Sequence, residues 1–441
     1  MSGTQTAVRS TRRTRELILP FVEGSIAELA AGRKEPDWLR ERRQEAWKTY
    51  EALPVPTLKD EAWRRTDLRR MPVKDLSFTR ESSAEFEREQ PDWLSGPAAL
   101  LELTPSRSPK LDADEQLTEQ GIIVLPLIEA ARKHPEILEQ HLGHLVPPTA
   151  GKFAALASAM AVDGMLVVIP EGVHLAAPIH ARVRLGGAGQ AYATRMVVVV
   201  ENNASGTVVF ERTSSDEDDL FYTGTVELFV GDGGALTFAD VQAFGTRTWN
   251  MTHERASVGR EASCEWMTAT AGSKLTKTFL DLDLVGEGGK GRVSGFFTVR
   301  PGQHLDLDTQ QNHLAPHTTS DLLYKGALRG RGRSVWQGMI YVAPGAQNTD
   351  GYQANRNLLL NRDARADSIP GLEILADDVR CTHGATAGQL DENQMFYLMS
   401  RGLRRSDAEH LVIHGFFAEV MQRIPIDSLR QRFVKLIDGT L

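Results

Sequence analysis

Cysteine is almost missing from this chain: its 441 residues contain two, Cys264 and Cys381, far apart. That count excludes a disulfide-stapled secreted scaffold and fits a reducing compartment, and it is too small for any site built from thiolates alone. No run of eighteen apolar residues occurs, which excludes a membrane-spanning helix. Positive charge is not in excess either. Fifty Lys and Arg stand against 58 Asp and Glu, giving a net charge of -8 with both signs interspersed. Such a surface is not built for nucleic acid or anionic lipid, so the expected partners are proteins. A phosphate-cradling loop is lacking too. GSKLT (272–276) and GEGGKGR (286–292) contain Gly and Lys without the spacing or the Gly-Lys-Ser/Thr end that wraps backbone amides round a phosphate, so the chain is not expected to bind ATP itself. RGRGR (329–333) reads as a solvated turn between strands rather than a phosphate grip. The first fifteen residues, MSGTQTAVRSTRRTR, are basic and free of acids in the manner of an organellar presequence, but they are short and run straight into ELILPFVEG. They are expected to be a basic tail, and the protein is expected to be cytoplasmic.

What is present divides the chain into three parts. Residues 1–162 read as a mostly helical region: DWLRERRQEAWKTYEAL has helical spacing and stops at Pro54 and Pro56, and EQGIIVLPLIEAARKHPEILEQHL reads as a short strand followed by a broken helix. Residues 163–380 are a succession of short β-branched or aromatic runs such as RMVVVVENN, GTVELFVGDGG and RVSGFFTV, separated by Gly, Asn, Asp and Pro. No fixed-period repeat is visible in them, and sandwich, barrel and parallel β-helix remain open on composition alone. The scarcity of Asn-Gly hairpin turns over such a length favours stacked coils. Residues 381–441 return to helix. Asp391 is placed to cap ENQMFYLMSR, with Gln394 at its third position and Gly402 ending it. Ser406 and Glu409 suggest a capping box for DAEHLVIHGFFAEVMQRI, which stops at Pro425. A last helix after Asp427 carries Leu429, Phe433 and Leu436 as one stripe.

Several groups could carry chemistry. FLDLDL (279–284) and HLDLDT (304–309) alternate, so Asp281/Asp283 and Asp306/Asp308 each share one strand face about 7 Å apart. Paired carboxylates at that distance suit an inverting glycosidase, although inward Leu and outward Asp is what any half-buried strand shows. His313, His317, Asp321 and Lys325 cluster in HLAPHTTSDLLYKG without matching a metal-ligand spacing. Cys381 and His383, in DDVRCTHGAT, share a strand face and pair two good iron ligands. A cluster or tetrahedral metal needs about four donors, so the remainder must come from elsewhere, most plausibly another chain.

The segment ADDVRCTHGATAGQLDENQMFYLMSRGL (376–403) resembles the C-terminal signature of the SufB/SufD family of iron-sulfur cluster assembly proteins, in its SufD type. The likeness extends through GFFAEVMQRIP (415–425), NRNLLLNRDARADSIPGLEI (355–374), HLAPHTTSDLLYKGAL (313–328) and SVWQGMIYVAPGAQ (334–347), and more loosely to DEAWRRTDL (60–68). The resemblance implies a mainly β protein, a right-handed parallel β-helix flanked by α-helical N- and C-terminal regions. It implies a non-catalytic scaffold that pairs with a SufB-like subunit, binds a SufC-like ABC-type ATPase through its C-terminal helices, and receives sulfur from a cysteine desulfurase system. His383 is then the residue facing a partner cysteine at a nascent iron-sulfur cluster shared between chains, with Cys381 beside it. SufB-type chains carry Glu after the motif histidine where this one has Gly384, and an acceptor cysteine near the position of FLDLDLVG, where this one has none. Cys264 reads as a packed apolar residue. The rival readings are a SufB-like or homodimeric scaffold and, from a different class, a β-helical carbohydrate enzyme using the Asp pairs.

Overall fold

The computed structural model describes residues 17–80, 94, 96–105 and 107–440; the basic N-terminal stretch lies outside them. It is mainly β, a parallel β-solenoid with helices at both ends. The N-terminal region contains α1 (Gly24–Ala30), α2 (Asp37–Ala52), β1 (Ala99–Leu103), β2 (Lys110–Ala113), α3 (Glu115–Glu119), β3 (Ile123–Pro126), α4 (Leu127–Lys133), α5 (Pro135–His141) and α6 (Lys152–Met160). It is therefore less purely helical than its composition suggests, because three short strands extend the solenoid sheets. The solenoid proper runs through β4 (Asp163–Ile169), β5 (Ile179–Leu185), β6 (Ala191–Val200), β7 (Ser205–Ser214), β8 (Leu220–Val230), β9 (Ala235–Phe244), β10 (Thr248–Val258) and β11 (Ser263–Gly272). It continues through β12 (Leu275–Leu284), β13 (Lys290–Val299), β14 (His304–His313), β15 (Thr319–Leu328), β16 (Arg333–Val342), β17 (Thr349–Leu359), β18 (Arg365–Ile374) and β19 (Val379–Gln389). Strand β19 thus carries the solenoid across the 380/381 division and on to Gln389. The chain ends in α7 (Glu392–Ser400), α8 (Arg405–Gln422) and α9 (Asp427–Thr440).

Successive strands alternate between two sheets, odd-numbered solenoid strands in one and even-numbered in the other. From β6 on, each strand therefore pairs in parallel with the strand one coil earlier. The coil length drifts: Trp249 pairs with Leu275, 26 residues on, whereas Arg333 pairs with Arg365, 32 on.

The three largest apolar cores lie inside the solenoid and outside each of its sheets. The solenoid interior stacks Phe238, Trp266, Val293, Leu322 and Trp336. Outside the even sheet, α6 is buried from Phe153 to Met160, with Phe153 against Trp63 and Phe221. MVVVV in β6 is buried on both faces and so needs no alternation: Met196, Val198 and Val200 enter the interior core, while Val197 and Val199 pack outward in a cluster with Leu127 and Ile128 of α4 and Leu138 of α5. Outside the odd sheet, Phe417 of α8 and Phe433 of α9 pack on Phe296, and burying each such side chain contributes roughly 1.5–3 kcal/mol.

Asp391 does cap α7, accepting from the N–H of Asn393, and Gly402 follows in the left-handed conformation at φ +95. The expected Ser406/Glu409 capping box does not form. Arg404 occupies the cap position, bonded to Asp407, while the Glu409 carboxylate is drawn to Arg329 in the turn after β15.

The two solenoid ends differ. At the N-terminal end β2 and β3 pair antiparallel with β1 and β4, and Leu117 and Ile122 plug the interior. At the other end, among the described residues, β18 pairs only with β16 and β19 only with β17.

Candidate functional site at the open solenoid end

In β19, Cys381 pairs with Gly351 and His383 with Gln353. Followed back through the ladders, His383 ends an interior column of Phe238, Trp266, Val293, Leu322 and Gln353. Cys381 ends the neighbouring column of Cys264, Gly291, Ser320 and Gly351. Both cysteines of the chain thus lie on one interior line, four rungs or roughly 19 Å apart. Both site residues face the solenoid axis, but among the described residues no further coil covers them.

Their surroundings differ sharply. Cys381 is half-buried against the small apolar group of Ile340, Val342 and Ala346. Burial pushes its thiol up, and a backbone hydrogen bond with Gly351 works the other way. A Cβ built on Gly351 would lie 3.2 Å from Cys381 Sγ and 3.3 Å from His313 Nε2, so the missing side chain leaves thiol and imidazole facing across a narrow gap. His383 is exposed, and its imidazole makes no hydrogen bond or ion pair among the described residues. Among those residues no third donor joins the pair in a cluster tight enough to hold an ion. The arrangement offers a thiol and an imidazole at a solenoid mouth, fewer than the roughly four donors a cluster or tetrahedral ion takes.

The mouth itself is apolar. The inward positions of β18 include Leu372 and Ile374, 37% and 38% exposed, and Leu375 follows at 50%. Sequence reasoning missed this surface, although Pro370 within β18 signals it: lacking an N–H, proline is confined to sheet edges. A second apolar surface is formed by Phe396, Tyr397 and Met399 of α7, with Leu403 and Leu411 nearby in sequence.

The other candidates do not converge into sites. Asp281 and Asp283 face outward and pair with Arg255. Burial pushes Asp281 up to about 7, partly offset by Arg255, with Asp283 and Asp308 adding to the rise. Asp306 and Asp308 are held by Lys277. The DEAWRRTDL segment seals this face: Thr66 bonds both Asp306 and His304, and the Trp63 ring lies 5.8 Å from the Lys277 ammonium. His313 is fully buried, hydrogen-bonded to the hydroxyls of Thr318 and Ser320, and pushed down to about 4 by burial. His317 lies in a turn, Asp321 pairs with Arg423, and Lys325 pairs with Glu419 on α8. Cys264 is packed in the interior core, its thiol pushed up to about 12 by burial. Of RGRGR, residues 329–332 form the turn between β15 and β16, and Arg333 is the first residue of β16.

Residues 183–416 match the family model described as SUF system FeS cluster assembly, SufBD core domain, and residues 107–181 match that of the SufBD protein N-terminal region. The iron-sulfur cluster assembly protein SufB of Bacillus subtilis is 26% identical over 420 residues, covering 91% of this chain and 89% of the relative. An iron-sulfur cluster assembly SufBD family protein of Staphylococcus epidermidis is 25% identical over 425 residues, covering 92% of this chain and 90% of the relative.

Proposed function

Because the chain belongs to the SufB/SufD family and is an iron-sulfur cluster assembly protein, we propose that it works as a SufD-like, non-catalytic scaffold subunit in the cytoplasm, pairing end to end with a SufB-like β-helix. The observation that carries this reading is the uncapped last coil. Two strand edges and the apolar residues Leu372 and Ile374 are left open around His383, while the opposite end of the same solenoid is plugged. Open edges and exposed apolar positions together favour a strand-bearing partner. In this arrangement His383, with Cys381 behind it, supplies part of the donor set for a nascent cluster, and the partner supplies the rest. The cluster is cargo of the assembly, and sulfur reaches it from a cysteine desulfurase system. The apolar face of α7 supports docking of a SufC-like ABC-type ATPase, whose motion α8 and α9 would pass to the odd sheet they cover. ATP binds to that partner.

The SufD type is favoured over SufB by the absence of a carboxylate beside His383, where Gly384 stands, and of a cysteine in β12. A SufB-like or homodimeric scaffold is the second reading, favoured by the relative named SufB. The test is anaerobic co-expression with a SufB-like subunit and a SufC-like ATPase. His383→Ala is expected to leave the complex assembled and to lower its iron and sulfide content severalfold, and full cluster content in the assembled variant would remove His383 from the site. Cluster formation by the lone chain would instead support the homodimeric scaffold.

A further inference from the structure

A second group of ligand-type side chains lies far from the solenoid mouth, in the C-terminal helices. His410 and His414 stand one turn apart on α8, so their side chains share a face, as in helical metal sites that place two histidines at i and i+4. Asp438 of α9 meets both. Its Oδ1 lies 2.9 Å from His410 Nε2 and 2.7 Å from His414 Nε2, and the two ring nitrogens are 3.1 Å apart. Among the described residues this is the group of three whose ligand atoms gather tightly enough to hold an ion.

We propose that His410, His414 and Asp438 bind one divalent transition-metal ion of the zinc class, clamping α8 to α9. Zinc takes His nitrogen and Asp oxygen at about 2.0–2.2 Å, and three atoms of a tetrahedral site then lie roughly 3.3 Å from one another. The observed triangle is close to that size, so small side-chain movements would admit the ion above its plane. The donor set suits the ion chemically: imidazoles and a carboxylate are borderline ligands that favour zinc, copper or nickel over calcium or magnesium. The carboxylate also offsets one of the ion's two charges. The side chains are 54%, 29% and 44% exposed, so an ion can enter and a water or a fourth ligand can complete its shell. Beneath them Leu436 and Ile437 are buried, which fixes the end of α9 at the site. The ion would therefore join two helices whose packing otherwise depends on an apolar seam.

This proposal stands independently of the cluster-scaffold reading. It is tested on full-length, tag-free chain carrying Cys381→Ser, so that neither a polyhistidine tag nor the accessible thiol competes. The chain is stripped with chelator and titrated with Co²⁺, with Zn²⁺ as competitor. One Co²⁺ per chain is expected, with the visible absorption of a four- or five-coordinate ion displaced by Zn²⁺. His410→Ala, His414→Ala and Asp438→Asn are each expected to weaken binding roughly tenfold or more while circular dichroism shows the fold retained. Co²⁺ binding by the parent no tighter than by the His410→Ala/His414→Ala double variant would overturn the proposal. So would the binding of one ion per chain with undiminished affinity by all three single variants.

Discussion

Glu211 on β7 and Arg432 on α9 are 221 residues apart in the chain and meet through two hydrogen bonds of 2.7 and 2.9 Å. Burial pushes the Glu211 carboxyl up, but His180, Arg432 and Arg182 outweigh it and hold it down to about 2 against an ordinary 4.5. A carboxyl depressed by folding stabilises the folded state above its unfolded pKa, and the contribution is lost as pH falls from about 4.5 toward 2. Glu211→Gln is expected to lower stability at pH 7 by about 3 kcal/mol at most and to flatten the acid dependence in that window. Urea unfolding between pH 3 and pH 7 checks this, with faster amide exchange in α9 as the local sign.

Lys277 and Asp306 form an ion pair of 2.9 Å with both side chains fully buried. Removing one partner strands a charge without solvent, so Lys277→Ala is expected to cost about 3–5 kcal/mol, more than the paired replacement Lys277→Met/Asp306→Leu. Denaturant midpoints of the single and double variants read the difference. A single variant as stable as the parent would show that the pair is not what fixes the N-terminal region to this face.

The two thiols should differ in reactivity. Cys264 lies in the packed interior, and burial pushes it up to about 12, whereas Cys381 is half-buried at the mouth. Mild alkylation at pH 8 is expected to modify Cys381 slowly and to spare Cys264 until the chain unfolds. Gly351→Ala, which crowds Cys381 Sγ from 3.2 Å, should change the Cys381 rate without exposing Cys264. Peptide mass mapping of the alkylated sites reads both effects.

Much of the architecture was legible in the sequence. Punctuated β-branched runs marked the solenoid strands, and Asp391, Gly402 and the stripe of Leu429, Phe433 and Leu436 marked the closing helices. The repeat was hidden because coil length varies between 26 and 32 residues, as in the pairs Trp249/Leu275 and Arg333/Arg365, and turns rather than strands absorb the change. The capping box at Ser406 failed because a tertiary partner, Arg329, takes the Glu409 carboxylate. Cys381 and His383 could be placed on one face by alternation, but their position on the last, uncovered coil depends on how many coils precede them. The alignment of Cys264 with Cys381 needs the register of four ladders. Sequence reasoning passed over His410 and His414, which read there as only two polar positions of an amphipathic helix, and Asp438 joins them only once α8 and α9 are packed together.

The most direct test of a shared site at the solenoid mouth is a cross-link from position 383. In a Cys381→Ser background, His383→Cys in the anaerobically assembled complex is treated with a short thiol-to-thiol reagent, and the products are identified by mass. Covalent joining to a second β-helical chain is expected, and Leu372→Arg at the same mouth should abolish it. An intact complex in which the thiol at 383 reaches no other β-helical chain would contradict the proposed interface.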